Sequence, residues 1–148
     1  MIVMLDTGPL GRVSNPRASE YNLACYTWVK SLLVQGIPVF IPEICDYEVR
    51  RELLRADKQA GIARLDVLKQ TLHYLPLTTE VMLHAAQLWA MARQGGYPTA
   101  DAQALDGDVI LAAQASALKA IVATENVGHL SRFVDARRWD TITVSDIE

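Results

Sequence analysis

"VMLDTGPLG", residues 3–11, sets a carboxylate directly after an apolar run and follows it with Thr, Gly and Pro. The run itself, "MIVML", has no polar alternation, as expected of a strand buried on both faces in a parallel sheet. Asp6 then has two readings. It caps a turn, accepting from backbone N–H groups just ahead of it, or it is a metal ligand at the carboxyl edge of the sheet, where open α/β folds place their ligands.

The rest of the chain supports the sheet. Turn formers (Gly8, Pro9, Gly11, Ser14, Asn15, Pro16) predict a loop after Asp6, and helical spacing through Tyr21, Ala24, Cys25, Trp28 and Leu32 predicts a helix over residues 18–35. "IPVFIP" reads as a second strand, Pro42 opens a helix to about residue 56, and another helix spans about 59–72. "HYLPL" is a short third strand. Thr78 or Thr79 caps a helix that stops at Gly95-Gly96, and residues 97–106 read as polar loop. Asp106-Gly107-Asp108 opens the helix "VILAAQASALK", "AIVAT" is a fourth strand, and "TITV" a last one. Alternating strands and helices predict a three-layer α/β fold, a central parallel sheet flanked by helices, with residues 1–148 as one domain.

The composition is that of a globular chain: 148 residues, 51% hydrophobic and 21% charged. Apolar runs fall short of the roughly 20 residues of a membrane helix, and no basic leader precedes the first strand, so a cytoplasmic protein with no membrane partner is expected. Cys25 and Cys45 lack metal spacing and read as core residues. The net charge of −3 argues against nucleic acid held by a basic surface alone. An apolar run ending in Asp-Thr-Gly also resembles the catalytic loop of aspartic proteases, but that family is built almost wholly of strands. A receiver-like domain would need a phospho-accepting Asp after the central strand and a later Lys, and "YLPLT" and "VATEN" supply neither.

The carboxyl edge of such a sheet gathers Asp6, Glu48 on the helix after the second strand, Asp106 and Asp108, with Thr124, Glu125 and Asn126 directly after the fourth strand. Each has a bland reading: Asp106 as an N-cap with Asp108 in the first turn, Glu48 paired with Arg51, Asn126 as a turn residue. Together they are more specific, because like charges a few ångströms apart need a cation to stay ionised. Carboxylates and an amide, with Thr7 and Thr124 hydroxyls nearby, suit Mg²⁺ or Mn²⁺ rather than zinc.

"VMLDTGPLG", "IPEICDYEVRREL", "LDGDVILAAQA", "VATENVGHLSRF" and "WDTITV" resemble, in order and over almost the whole chain, the successive motifs of PIN-domain ribonucleases, including VapC-type toxins. The resemblance implies a PIN-like, Rossmann-like topology and Mg²⁺- or Mn²⁺-dependent endoribonuclease activity on RNA phosphodiesters. It makes Asp6, Glu48 and Asp108 the metal-holding catalytic acids, and it implies a small cognate antitoxin as partner. Its fourth position is Asn126, where many relatives have Asp; Asp106 is the carboxylate that could compensate, and Thr7, Thr124 and Asn126 are supporting residues. Asn126 also favours the alternative, an inactive PIN-like RNA-binding or protein-interaction module. Arg12, Arg17, Arg50, Arg51 and Arg55 are candidates for RNA phosphates, against a solvated helix face. His73, His84 and His129 show no triad or metal spacing, and Tyr21, Trp28 and Trp89 are core residues or a homodimer face.

Overall fold

Val3, Met4 and Leu5 form β1 (Val3–Leu5) and are inaccessible to solvent, which is why this run has no polar face. The computed structural model describes residues 1–96, 102–128 and 130–143. After β1 come α1 (Thr7–Ser14), α2 (Glu20–Val34), β2 (Val39–Pro42), α3 (Glu43–Arg55), α4 (Gln59–Thr71), β3 (His73–Leu75) and α5 (Thr79–Gln94). Then follow α6 (Ala102–Leu118), β4 (Ile121–Thr124), a 3₁₀ turn (Leu130–Arg132), β5 (Ala136–Arg138) and a second 3₁₀ turn (Trp139–Thr141).

The strands form one sheet in the order β3-β2-β1-β4-β5, and every neighbouring pair is parallel. With the helices it makes the expected three-layer α/β arrangement. From β1 the strand order runs one way to β2 and β3 and the other way to β4 and β5. The switch point therefore lies between β1 and β4, where Leu5 pairs with Ala123 and the Asp6 N–H donates to the Ala123 carbonyl at 2.9 Å. The main core packs β1, β2 and β4 against Leu10, Cys25, Leu32, Leu65 and Leu111. A smaller one joins α5 to α6 through Val81, Ala85, Leu105 and Val109. Among the described residues no helix is long and apolar enough to cross a membrane.

Three sequence expectations need correction. The predicted loop after Asp6 is α1: Pro9 falls in its first turn, where backbone N–H groups have no intrahelical partner, and Leu10 and Val13 pack inward at helical spacing. The helix expected to open at Asp106 starts at Ala102, so Asp106 is an exposed interior residue rather than a cap, and only residues 97–101 of the expected loop lie outside the described residues. The last strand is Ala136–Arg138, not "TITV". Its Ala136 is buried beside Val122, whereas Thr141 ends a 3₁₀ turn, Ile142 and Thr143 are not strand, and residue 144 lies outside the described residues. "HYLPL" contributes only His73–Leu75, and His129 falls outside the described residues. Cys25 and Cys45 are buried free thiols, as expected.

Leu10, fully buried, holds α1 on the sheet directly beyond Asp6. Leu10→Ala should cost about 2–5 kcal/mol and lower the unfolding midpoint by about 10 °C. A shift under about 2 °C in a calorimetric scan would show that α1 is not packed in this way.

Candidate active site

Asp6 is the N-cap of α1 and also the charge at the end of β1. Its Oδ1 accepts the Thr7 N–H at 2.7 Å, and its Oδ2 accepts the Thr124 hydroxyl at 2.7 Å. That hydroxyl in turn accepts the Asn126 N–H at 3.1 Å, so the chain after β4 orients Thr124 and Thr124 orients Asp6. The Cys45 Sγ lies 3.7 Å from Oδ1. Burial and the charge of Asp6 push this thiol well above its ordinary range, so it is a neutral S–H donor. The cap reading of Asp6 is realised in this side chain.

Glu48, on α3, accepts the Thr7 hydroxyl on Oε1 at 3.2 Å. Its Oε2 lies 3.9 Å from an Arg51 nitrogen and against Gly107 of α6, where an added Cβ would stand 3.0 Å from it. Asp108 follows one residue later. Burial raises the Glu48 carboxyl above its usual range, with a further push from Asp6, opposed by Thr7 and Arg51. Burial also pushes Asp108 up, to about 6, helped by the charges of Asp6 and Glu48. The charge of Asp6 thus acts on Glu48 and Asp108, and that of Glu48 on Asp108, near the switch point. Among the described residues, no three His, Cys, Asp or Glu side chains are gathered closely enough to hold an ion directly.

Solved structures with this arrangement of elements include a chain of the Rickettsia felis VapBC2 complex bound to a DNA fragment from their promoter. It superposes with a TM-score of 0.76 at 20% identity, over 95% of this chain and all of that one. FitAcB from Neisseria gonorrhoeae gives 0.70 at 21% identity, and VapBC-1 from nontypeable Haemophilus influenzae 0.66 at 18% identity, each covering 95% of this chain and all of theirs. The fold is that of VapC-type PIN domains. No protein-family model matches the sequence, and no curated protein matches it.

In this PIN fold the other sequence candidates scatter. Asp106 lines a groove between α5 and α6 with Met82, Ala85 and Trp89, apart from the Asp108 neighbourhood. The Asn126 carboxamide lies against Gly128. Arg12 is ion-paired with Glu125, donates to Asn22 Oδ1 at 3.3 Å and stacks over Tyr21 at 4.0 Å. Arg50 bridges Asp46 and Asp66 at 3.0 and 2.8 Å, and Arg55 pairs with Glu52 at 2.9 Å. Arg51 and Arg17 remain near the acids: Arg17 shares with Thr7 and Glu48 a cleft of about 760 Å³ that reaches Lys58 and Gln59. Tyr21 and Trp28 pack edgewise and tilted on Trp139, and Trp89 is partly exposed under Arg93.

Sequence reading missed Lys58, Cys45, the seat of Glu125 over Gly8, and Gln114. Only Gln114 carried a signal, a lone long polar residue inside the apolar run "VILAAQASAL".

A carboxyl raised on folding favours the folded state most below its unfolded pKa, and that contribution is lost as pH rises through the folded value, here about 6. The metal-free protein should therefore lose stability between about pH 4 and 6.5 in part through Asp108. Asp108→Asn should raise the midpoint at pH 7.5 by about 2–4 °C, roughly 1 kcal/mol after solvent screening, and flatten the pH slope. Parallel pH-dependent melts of the two proteins, if superimposable, would remove Asp108 from the charged cluster.

Proposed function

We propose that this chain is a Mg²⁺- or Mn²⁺-dependent endoribonuclease that hydrolyses RNA phosphodiester bonds, the toxin of a toxin–antitoxin pair. The observation that supports the proposal is that the Thr7 hydroxyl ties Glu48 to the turn capped by Asp6, while the charges of Asp6 and Glu48 act on Asp108.

The donor set fits a hard divalent ion: carboxylate oxygens with Thr7 and Thr124 hydroxyls around them and, among the described residues there, no thiolate or imidazole. Asp6, Glu48 and Asp108 would hold it, partly through waters, since their side chains are not gathered into a closed cage. When bound, such an ion neutralises charge on a non-bridging phosphate oxygen and lowers the pKa of a coordinated water. The protein's own part is positional. Thr124 and the Thr7 amide fix both oxygens of Asp6, and Thr7 ties Glu48 to the start of α1. Hydrolysis joins the water oxygen to phosphorus in line with the leaving 3′ oxygen, giving a 5′ phosphate and a 3′ hydroxyl. Arg17 and Arg51, beside Glu48, are the cations placed to meet flanking phosphates.

The VapBC and FitAcB neighbours are two-component complexes, and the fold they share with this chain supports a small antitoxin as its partner. Asn126 favours a competing reading, an inactive RNA-binding or protein-interaction module, because the fourth carboxylate of the resemblance is absent.

One set of assays decides between them. Incubated with total RNA and Mn²⁺, the unmodified protein should cleave, EDTA should stop it, and Asp6→Asn, Glu48→Gln and Asp108→Asn should each reduce the rate at least a hundredfold with folded circular dichroism spectra. Cleavage that survives EDTA or all three substitutions overturns the reading; absence of cleavage with retained RNA binding selects the module. Replacing Arg17 and Arg51 together by Ala should reduce the slope of log affinity for RNA against log salt by about 1–2. An unchanged slope would place both outside the RNA path.

A further inference from the structure

Helix α3 carries Glu48, yet its N-terminus has no cap of its own: Pro42 stands at the N-cap position and makes no side-chain hydrogen bond. The first N–H groups of a helix need partners from elsewhere. One comes from α6. Gln114, the fully buried polar side chain in the middle of that helix, accepts the Ile44 N–H on Oε1 at 3.3 Å and donates from Nε2 to the Leu75 carbonyl at 2.9 Å, at the end of β3. Because Ile44 N–H can only donate and the Leu75 carbonyl can only accept, the orientation of the amide is fixed.

The same two helices meet again one turn further along α3. There Glu48 lies against Gly107, seven residues before Gln114 and so on the same face of α6, two turns away. Ile44 meets Gln114 and Glu48 meets Gly107, so α3 and α6 run in opposite senses across this contact and are pinned at two points. At the first pin, sliding or rotation would strand the buried amide of Gln114 without its partners. At the second, the missing Cβ of Gly107 leaves the room that Glu48 occupies.

We propose that Gln114, acting with Gly107, is the positioning residue that sets the register of α3 against α6 and so brings Glu48 to Asp108. This rests on the nuclease reading for its consequence, but not for its geometry. A hydrophobic residue of equal size would fill the same space, and helix propensity alone would favour Ala at position 107. The residues present serve the placement of one carboxylate instead.

The test compares Gln114→Met, which keeps volume and loses both hydrogen bonds, with Leu32→Ala, a core truncation on α2 of comparable destabilisation. In metal-free protein, the amide NMR signals of Glu48 and Gly107 should shift in Gln114→Met and stay in place in Leu32→Ala. Mn²⁺ affinity, followed by electron paramagnetic resonance, should fall at least tenfold in Gln114→Met only. Gly107→Ala should keep or raise the melting temperature while weakening Mn²⁺ at least fivefold, and it decides the matter if Gln114→Met does not fold. Wild-type amide shifts and wild-type Mn²⁺ affinity in the folded variants would overturn the proposal. If the unmodified protein takes up no Mn²⁺, the nuclease reading falls, and the amide shifts alone judge the register.

Discussion

Charge repulsion among half-buried carboxylates is the constraint around which this fold is arranged. Asp6 stands at the end of β1, and burial together with its charge disfavours the ionised forms of Glu48 and Asp108. Left alone, such a cluster works against folding. What surrounds it is a set of donors without compensating full charges: an amide and a hydroxyl on Asp6, a hydroxyl on Glu48, a neutral thiol beside Asp6. The nearest guanidinium, Arg51, stands 3.9 Å from Glu48 and half in solvent. Close Arg pairing would have neutralised the cluster. The donors instead orient the acids and leave their charge uncancelled.

Helix α1 shows how the same residue serves stability and site at once. As N-cap, Asp6 satisfies the first turn of α1, and the helix dipole favours a negative charge there. Thr7, the first residue of the helix, then uses its amide on Asp6 and its hydroxyl on Glu48. Two acids separated by 42 positions in sequence are thereby linked through a single residue. The helix is held down by Leu10 and Val13, so the geometry of the acids is tied to the core rather than to a loop.

The sheet, its parallel sense and the approach of Glu48 to the Asp6–Thr7 turn were legible because each follows from local pattern: an unbroken apolar run, Pro42 opening a helix, strands that all end at one edge. The errors arose where turn residues and packing competed. Gly8, Pro9 and Gly11 read as loop, yet Pro is at home in a first helical turn, and Leu10 with Val13 supplied a helical stripe too short to stand out. Asp106 looked like a cap because helix and N-cap preferences coincide there, but Leu105 belongs to the α5–α6 core and carries the helix back past it. The final strand went to "TITV" on β-propensity, whereas "ARR" pairs with β4 through backbone groups that side-chain pattern does not report.

Arginine was the least legible residue, for a reason that sequence spacing cannot express. Arg12, Arg50 and Arg55 lie close in the chain to residues of the acidic edge, yet each is engaged by a carboxylate, Glu125, Asp46 with Asp66, or Glu52. Asp46 and Glu48 are two residues apart on α3 and so about 200° apart around it, so Arg50 follows Asp46 to Lys69 and Tyr74, away from the acids. Among the described residues, the guanidinium of Arg17 and the ammonium of Lys58 have no carboxylate partner, and both line the cleft that ends at Glu48. A chain of net charge −3 that commits most of its nearby guanidinium groups internally has few left for phosphates. Electrostatic attraction to a polyanion then concentrates at that cleft and at any cation the three acids hold. On the proposed nuclease reading, the same acids would then decide both where a nucleic acid strand lies and where it is cut.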